Sequence, residues 1–338
     1  MENKKIQFLT SIEQCSKVSI VTHINPDGDA LGSAIAMATL LDCSFNKEVK
    51  VFTPNRSADY LKSIKGFDYV NDYLASTKSS IDYIRSSDLI ICVDLYDYNT
   101  RTGEISVHIA KNEKAKKIVF DHHVFNDLNL YDLTICDSGN SSASNLILQT
   151  LREFGMDDMI DLQIAEAIYT GMMTDTGNFS FGNLNPVLYD NISFLVSKGV
   201  VTSEVNSRIF NVKRESAVRL TGYATSKKLY IDYKKEAAVI TLTKEELNKY
   251  GYTSGDTEGL VNVPLSINGI YNSALFMEQE GSIKVSLRSD AIFGGDTNAL
   301  ARKLFNGGGH INASGGKAFD MGLKECMQLY FDNVSNKN

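Results

Sequence analysis

The segment VSIVTHINPDGDALGSAIAMATLL (18–41) decides the fold class that this sequence predicts. It opens with a short apolar run, VSIVT, which is typical of a buried strand. A polar turn around Pro26 and Gly28 follows, and the Ala- and Leu-rich stretch from about Ala30 to Leu41 has the pattern of a helix. A strand that leads through a polar turn into a helix is the unit of α/β folds, so the segment predicts that class.

The alternation of strands and helices continues through roughly the first two hundred residues. In chain order, the further strand candidates are VKVFT (49–53), LIICVD (89–94), KIVFDH (117–122) and LTICD (133–137), and the clearest helical patterns follow at 141–155 and 160–175. Such alternation indicates a doubly wound, mostly parallel sheet. Ligands of these sheets bind at the carboxyl ends of the strands. Residues that directly follow the strands are therefore the candidates for a functional site.

The last third of the chain predicts a second, smaller α/β domain with a mixed sheet. After a helical stretch (185–229), the predicted elements are a strand (236–243), a hairpin around Gly281 (272–289), a helix (296–305), a glycine-rich loop (306–316) and an amphipathic helix. The resulting boundaries are a first domain at 1–200, a helical linker at 201–229 and a second domain at 230–338.

Length and composition favour a globular protein of two domains. The chain has 338 residues, more than most single domains, and its 43% apolar and 22% charged residues are ordinary for a soluble globular protein. The formal net charge, 34 − 41 = −7, argues against a broad basic surface for long nucleic acid. The net charge does not exclude a short nucleotide held in a local basic pocket.

The sequence also predicts a protein without a membrane segment. No apolar stretch approaches the roughly 20 residues that cross a bilayer. The N-terminal segment MENKKIQFLTSIEQCSK (1–17) is polar and lacks the apolar run of a signal peptide. We therefore expect a cytoplasmic location.

Metal-binding side chains follow several of the predicted strands. In THINPDGDALGS (22–33), His23, Asp27 and Asp29 lie just beyond a strand. Taken alone, this motif is equally explained as a turn whose aspartate caps the following helix. Three further groups lie at the ends of predicted elements: Asp94; Asp121 with His122 and His123; and Asp175. Because four such groups would meet at one rim of one sheet, we expect a shared site rather than a coincidence.

The chemistry of this group favours manganese and phosphoryl transfer. Aspartate and histidine ligands without a thiolate offer mainly oxygen donors, which favours Mn²⁺ over a closed zinc site. Two ions that share a carboxylate lie about 3.5–4 Å apart, where they can activate a bridging water and clamp a phosphoryl oxygen. Their charge offsets the charge that develops in the transition state.

The set HxxxDxD, a strand-end VD, DHH and a later DTG resembles the DHH phosphoesterases. This family includes RecJ-like exonucleases, manganese inorganic pyrophosphatases, exopolyphosphatases and hydrolases of short RNA or pAp. The resemblance implies that one Mn²⁺ is held by His23, Asp27 and Asp94. It implies that a second Mn²⁺ is held by Asp29, Asp94, His122 and Asp175, so that Asp94 bridges the two ions. Mg²⁺ or Co²⁺ are the substitutes it suggests.

The resemblance also implies roles for three residues around the metals. Asp121 would orient an imidazole, the usual support for a histidine that binds metal. His123 would face the substrate phosphate as a hydrogen-bond donor or a proton source; the alternative is an ordinary hydrogen-bonded histidine. Arg101, in the segment after the Asp94 strand, is a further candidate contact for the phosphate.

The second domain carries a segment, NGGGHINASGG (306–316), that resembles the GGGH motif of the DHH-associated C-terminal domain. Successive glycines allow backbone N–H groups to approach an anion, and a helix C-cap with a flexible turn is the alternative. Arg288 offers a guanidinium fork for a terminal phosphate, or else is simply solvated. The substrate-binding residues expected from this resemblance are Gly307, Gly308, Gly309, His310, Arg288 and Ser286.

Together these motifs resemble the bifunctional oligoribonuclease (nano-RNase) and pAp phosphatase branch. This branch implies Mn²⁺-dependent hydrolysis of short RNA or DNA, about two to four nucleotides long, or of pAp to AMP, by attack of a metal-activated hydroxide. The implied partners are small nucleotides, neither long nucleic acid nor membrane, with a homodimer left open. The alternatives are a phosphodiesterase for c-di-AMP or pApA, an exopolyphosphatase, or a nucleotide-binding regulator on a degenerate phosphoesterase fold.

Overall fold

The computed structural model describes residues 2–124 and 129–335. The chain forms two compact units, Met1–Val212 and Lys213–Asn338, and each is built around a six-stranded sheet. The predicted α/β class, with a mostly parallel first sheet and a mixed second sheet, is confirmed. The segment predicted as a linker, 201–229, contains one helix of the first unit and one helix of the second.

The first unit contains a sheet whose strand order reverses near its centre. Its strands are β1 (Lys17–Val21), β2 (Glu48–Thr53), β3 (Val70–Asp72), β4 (Leu89–Val93), β5 (Lys116–Asp121) and β6 (Leu133–Cys136). Their order is β3-β2-β1-β4-β5-β6, and every neighbouring pair is parallel. The order reverses between β1 and β4, which is where doubly wound sheets bind ligands.

Helices cover both faces of this sheet. They are α1 (Glu2–Glu13), α2 (Gly28–Phe45), α3 (Thr77–Ser86), α4 (Tyr98–Arg101), α5 (Ile105–Lys111), α6 (Ala143–Glu153), α7 (Leu162–Asp175), α8 (Pro186–Ser197) and α9 (Thr202–Phe210). The larger apolar core includes residues of α2, α6 and α7 on one face, and a smaller core includes residues of α3 and α5 on the other. Every residue of β4 is buried, as expected for a central strand with helices on both sides.

Two features of α2 set the position of the polar turn that precedes it. The helix begins at Gly28, two residues before the predicted start, because Asp27 caps it: Asp27 Oδ1 accepts the N–H groups of Asp29 and Ala30 at 3.0 Å each. The helix also lies very close to α7. A Cβ on Gly32 would be 2.5 Å from the carbonyl oxygen of Ala167, so a glycine is required at this crossing.

The second unit contains a mixed sheet. Its strands are β7 (Leu229–Asp232), β8 (Ala237–Leu242), β9 (Asn272–Gln279), β10 (Ser282–Ser289), β11 (Gly308–Gly309) and β12 (Ala313–Ala318), in the order β11-β12-β10-β9-β8-β7. Only β8 and β9 run parallel. Its helices are α10 (Glu215–Lys227), α11 (Lys244–Lys249), α12 (Thr297–Leu304) and α13 (Leu323–Asn333). The core on one sheet face includes residues of α12 and α13, and that on the other includes residues of α10 and α11.

The glycine-rich segment of the second unit forms strands, and the predicted loop was wrong in this respect. Gly308 and Gly309 pair with Gly315 and Ser314, so β11 and β12 make a narrow antiparallel hairpin. A Cβ on Gly307 would lie 1.9 Å from the carbonyl oxygen of Gly315. Glycine is therefore needed here because two backbones approach closely. A sequence pattern does not distinguish a glycine with this role from a glycine in a flexible loop. The predicted hairpin around Gly281 is confirmed.

Membrane-spanning helices are not found among residues 2–124 and 129–335, because none of these helices combines the necessary length and apolar character.

Candidate metal centre

Three of the predicted ligands, His23, Asp94 and His122, follow the carboxyl ends of β1, β4 and β5, whereas Asp29 lies in α2 and Asp175 ends α7. His23 comes two residues after β1, Asp94 directly follows β4, and Asp121 ends β5 just before His122 and His123. Because these three strands are neighbours and parallel, their ends meet at one edge of the sheet. The crevice at the strand-order reversal is thus lined by acidic and imidazole groups.

His23, Asp27 and Asp94 form the first candidate ligand group, with one atom from each lying within 4.8 Å of the others. His23 Nε2 is 3.3 Å from Asp94 Oδ2, and His23 Nδ1 is 2.9 Å from the carbonyl oxygen of Ile24. When this imidazole is neutral, a proton on Nδ1 donated to that carbonyl leaves the Nε2 lone pair for a cation. Asp27 caps α2 with Oδ1 alone. The capping and metal-binding interpretations of this aspartate are therefore compatible.

His122 lies at the centre of a second candidate ligand group. Its Nε2 atom is 3.4 Å from Asp94 Oδ1, 3.7 Å from Asp29 Oδ2 and 3.6 Å from Asp175 Oδ2. Asp94 belongs to both groups and turns a different oxygen toward each, Oδ2 to His23 and Oδ1 to His122. The structure therefore brings all six predicted ligands together and places one carboxylate between the two groups.

Asp94 is held in an unusual backbone conformation. Its φ angle is 58°, in the left-handed region that non-glycine residues rarely occupy, and its N–H donates to the carbonyl oxygen of Phe120 at 2.9 Å. Its Oδ1 atom is buried and accepts no hydrogen bond from the part of the chain that the structure describes. A buried carboxylate oxygen without a donor is costly unless a cation approaches it. The residues present thus fit a bound metal.

Asp29 receives support that the sequence did not reveal. Its Oδ2 accepts the N–H of Ala143 at 2.7 Å and its Oδ1 accepts the N–H of Ser144 at 2.9 Å. These amides begin α6, so the positive end of that helix faces the carboxylate. The side chain of Ser142 caps the same helix by accepting the N–H of Asn145. Two fixed donors orient Asp29 toward His122.

Comparison with known proteins identifies the family. The family model described as "DHH family, N-terminal domain" matches residues 17–172. A solved structure, an exopolyphosphatase-related protein from Bacteroides fragilis, is 36% identical and superposes with a TM-score of 0.90, covering 98% of this chain and 95% of that one. The chain belongs to the DHH family.

Curated relatives of this DHH protein extend over nearly its whole length. It is 27% identical over 320 residues to the bifunctional oligoribonuclease and PAP phosphatase NrnA of Bacillus subtilis, covering 93% of each chain. It is 28% identical over 341 residues to the probable bifunctional oligoribonuclease and PAP phosphatase NrnA of Streptococcus mutans, covering 97% of each. The DHH protein is a hydrolase that acts on phosphoester bonds.

The carboxylates of the DHH site are buried and repel one another, which favours the binding of cations. Burial and the nearby charge of Asp94 raise the pKa of Asp29 to about 7. Burial lowers the pKa of His23, but the hydrogen bond and charge of Asp94 outweigh it and raise that pKa to about 9. Burial would raise the pKa of Asp94, yet the neighbouring imidazoles of His122 and His23 hold it well below its usual range. Without a cation, these shifts favour a proton on Asp29 and on His23.

The two histidines of the DHH motif have different partners. Asp121 is fully buried and accepts a hydrogen bond from His123 Nδ1 at 2.8 Å. His122 Nδ1 instead lies 3.4 Å from the carbonyl oxygen of Asn140. The carboxylate expected to orient an imidazole thus contacts His123, and the imidazole among the three carboxylates is oriented by a backbone carbonyl. No sequence pattern indicates which histidine receives the carboxylate.

Arg101 lies beside the first ligand group of the DHH domain. It is the last residue of α4, and its carbonyl oxygen accepts the N–H of Ile24 at 2.8 Å. Its positive charge opposes protonation of His23 and lowers the pKa of that imidazole, against the larger effect of Asp94. An exposed cation this close to the ligand group is well placed for an anionic substrate.

The predicted substrate-binding residues of the second unit also gather on one sheet. Ser286 and Arg288 lie on the same face of β10, opposite Gly315 and Ala313 of β12. His310 lies in the turn between β11 and β12, where its N–H donates to the carbonyl oxygen of Ala313 at 2.7 Å. The N–H of Gly309 donates to Asn298 Oδ1 at 3.1 Å. Two amides of the glycine-rich segment are thus engaged within the fold.

A methyl group at Gly171 is expected to disturb the second ligand group. A Cβ there would lie 1.9 Å from Ser144 Oγ and 2.7 Å from Asp29 Oδ1. Gly171→Ala should therefore displace Asp29, weakening Mn²⁺ binding about 10- to 100-fold and lowering stability by about 1–3 kcal/mol. Calorimetric Mn²⁺ titration and thermal unfolding measure the two effects.

Gly222→Ala is the matched control for that substitution, because Gly222 also lies within a helix and its added Cβ would meet open space. It should leave Mn²⁺ affinity unchanged and stabilise its helix by up to about 1 kcal/mol. Equal Mn²⁺ affinity in Gly171→Ala and the unsubstituted protein would contradict the packing argument.

Proposed function

We propose that this protein hydrolyses short oligonucleotides, about two to four nucleotides long, to mononucleotides, and pAp to AMP, with two Mn²⁺ ions. The proposal rests on the position of Asp94, whose two oxygens face different groups of candidate ligands. Oδ2 lies 3.3 Å from His23 Nε2, and Oδ1 lies 3.4 Å from His122 Nε2. The names of the NrnA relatives support the substrate class. A cytoplasmic location and a homodimer remain predictions of the sequence.

The proposed ligand sets follow the two groups of the structure. His23, Asp27 and Asp94 would hold one ion, and Asp29, Asp94, His122 and Asp175 would hold the other. Nitrogen and carboxylate donors without thiolate suit Mn²⁺, with Mg²⁺ or Co²⁺ as substitutes. When bound, such ions supply positive charge to a phosphoryl group and acidify coordinated water.

The remaining proposed roles belong to residues beside the ligands. Asp121 fixes the ring of His123 through Nδ1, so that His123 can donate from Nε2 to a phosphate or leaving oxygen. Arg101 would attract and neutralise the same phosphate. In the second unit, Arg288, Ser286, His310 and the glycine-rich segment (Gly307, Gly308, Gly309) would bind the terminal phosphate or its nucleotide.

An exopolyphosphatase is the second candidate, because the 36% identical Bacteroides protein is described as exopolyphosphatase-related. A panel of pAp, pApA, short RNA, cyclic dinucleotides and polyphosphate, assayed with Mn²⁺ and resolved by chromatography, distinguishes the candidates. Release of mononucleotides from pApA and of AMP from pAp supports the proposal. Hydrolysis of polyphosphate alone favours the second candidate, and no hydrolysis of any substrate refutes both.

Mn²⁺ affinity is expected to increase with pH between about 6 and 9. The pKa of Asp29 is raised to about 7 and that of His23 to about 9, so both hold protons near neutral pH in the metal-free protein. Mn²⁺ must displace these protons, and each one released lowers the Kd about tenfold per pH unit below the pKa. Calorimetric titrations at pH 6, 7 and 8, in buffers of different ionisation enthalpy, measure affinity and proton release. Equal affinity at the three pH values would exclude this proton release.

A further inference from the structure

A pair of aromatic rings, one exposed and one half-buried, lies at one end of the second sheet. The rings of Tyr271 and Phe293 have centroids 4.9 Å apart and planes tilted by 42°. Phe293 is 51% exposed and its neighbour Ile292 is 71% exposed. Tyr271 directly precedes β9, and Phe293 lies in the segment that follows β10. Neither the metal ligands nor the glycine-rich motif accounts for these residues.

The register of the sheet places this pair beside Arg288. In the antiparallel pair of β9 and β10, Arg288 is opposite Ser273 and Ser289 is opposite Asn272. The next position brings Asp290 beside Tyr271. The N–H of Asp290 donates to the carbonyl oxygen of Tyr271 at 2.8 Å, in agreement with this register. Side chains alternate along a strand, so Tyr271 shares the sheet face of Arg288. Tyr271 is two residues from Ser273, the partner of Arg288, which corresponds to about 7 Å along the strand direction.

The segment that carries Phe293 is fixed by its own hydrogen bonds. Asp290 Oδ1 accepts the N–H groups of Ile292 and Phe293 at 2.9 and 2.8 Å, and the carbonyl oxygen of Asp290 accepts the N–H of Gly294 at 3.0 Å. A Cβ on Gly294 would lie 2.5 Å from the backbone nitrogen of Asp290, so the turn is closely packed. An apolar turn that is both exposed and closely held is preorganised for a ligand.

We propose that the Tyr271–Phe293 pair is a stacking surface for the base of a nucleotide whose phosphate is bound by Arg288; this inference rests on the proposed function and specifies its substrate. An aromatic ring beside a guanidinium matches a ligand with a flat π face and an anionic group, which is a nucleotide. A polyphosphate chain has the anionic groups but no face to stack. The surface therefore selects nucleotides over polyphosphate.

The test compares the binding of AMP and ribose 5-phosphate to the full chain by calorimetry in Mn²⁺ buffer. Base stacking on an aromatic residue corresponds to about a five- to 150-fold difference in affinity. The unsubstituted protein should bind AMP more tightly than ribose 5-phosphate by that factor. Phe293→Ala should weaken AMP binding at least about fivefold and leave ribose 5-phosphate unaffected, whereas Phe293→Trp should retain AMP binding.

Phe319→Ala is the matched control. Phe319 is 50% exposed, as Phe293 is, but it follows Ala318, which pairs with Ile283 at the other end of β10. AMP binding should be unchanged in this variant. Equal affinity of the unsubstituted protein for AMP and ribose 5-phosphate overturns the proposal. An equal loss of both ligands in Phe293→Ala also overturns it.

Two further measurements separate this proposal from its alternatives. If the protein hydrolyses pApA or pAp but shows no preference for AMP over ribose 5-phosphate, the proposal of a stacking surface is wrong and the proposed function stands. If none of the nucleotides is hydrolysed, the proposed function fails independently of the binding result. A change in sedimentation of Phe293→Ala with unchanged AMP affinity would assign the exposed turn to a contact between two copies of the chain, which overturns base stacking.

Discussion

Asp94→Asn is expected to lower kcat/KM by about 10³-fold or more, because it removes charge shared by two ligand groups. Oδ2 of Asp94 faces His23 and Oδ1 faces His122, so an amide nitrogen in place of either oxygen would repel a cation. Asparagine is the informative replacement because it has nearly the same shape and tolerates the left-handed backbone, with φ at 58° in Asp94. Steady-state kinetics and Mn²⁺ calorimetry together measure the loss.

Asp88→Asn provides the control at the opposite end of the same strand. Asp88 directly precedes β4, and its Oδ2 accepts the N–H groups of Ser16 and Lys17 at 2.9 Å each. Losing the negative charge there should cost about 1 kcal/mol of stability and leave Mn²⁺ affinity unchanged. If Asp94→Asn binds two Mn²⁺ ions with undiminished affinity, the bridging assignment is wrong.

Removal of divalent cations is expected to abolish hydrolysis, and Mn²⁺ should restore it. The site concentrates four carboxylates and two imidazoles, and without cations its electrostatic balance requires protons on groups such as His23, whose pKa is raised to about 9. The proposed ions provide the main positive charge for the phosphoryl group, so their loss should lower the rate by about 10³-fold or more. Rates are measured after dialysis against EDTA and after addition of Mn²⁺, Mg²⁺ or Co²⁺.

The same treatment should lower thermal stability, since each ion binds only the folded site. At a free concentration one hundred times its Kd, an ion adds about 2.7 kcal/mol to the free energy of unfolding. Asp94→Asn should show little of this stabilisation, and Asp88→Asn should show all of it. Full activity after exhaustive chelation, verified by elemental analysis, would rule out a metal-dependent reaction.

Local patterns predicted most of the elements that support the site. The apolar runs of β1, β4 and β5 and the helical period of α2 and α7 reflect burial on faces whose spacing is visible in the sequence. The three-residue strand β3 was not predicted, since it is too short for a recognisable alternation. The glycine-rich strands β11 and β12 were predicted as a loop, because glycine selected for close packing looks like glycine selected for a turn.

The partners of individual ligands were less accessible to sequence reasoning. Support of Asp29 by the first amides of α6 joins residues 114 and 115 positions apart. The pairing of Asp121 with His123 rather than His122 depends on ring orientation after β5 ends. The contact between the rings of Tyr271 and Phe293 depends on the antiparallel register of β9 and β10. Each contact is set by tertiary packing between elements.

The sequence by itself determined the α/β class and placed aspartate and histidine residues directly after buried strands, because burial and turn formation act on near neighbours. The tertiary structure decided that Asp94 stands between two candidate ligand groups, with Oδ2 toward His23 and Oδ1 toward His122. That arrangement depends on the order of β1, β4 and β5 in the sheet and on the close crossing of α2 and α7 at Gly32. Strand order and helix crossing are determined by contacts between segments that are distant in the sequence. Only the folded chain brings these segments together.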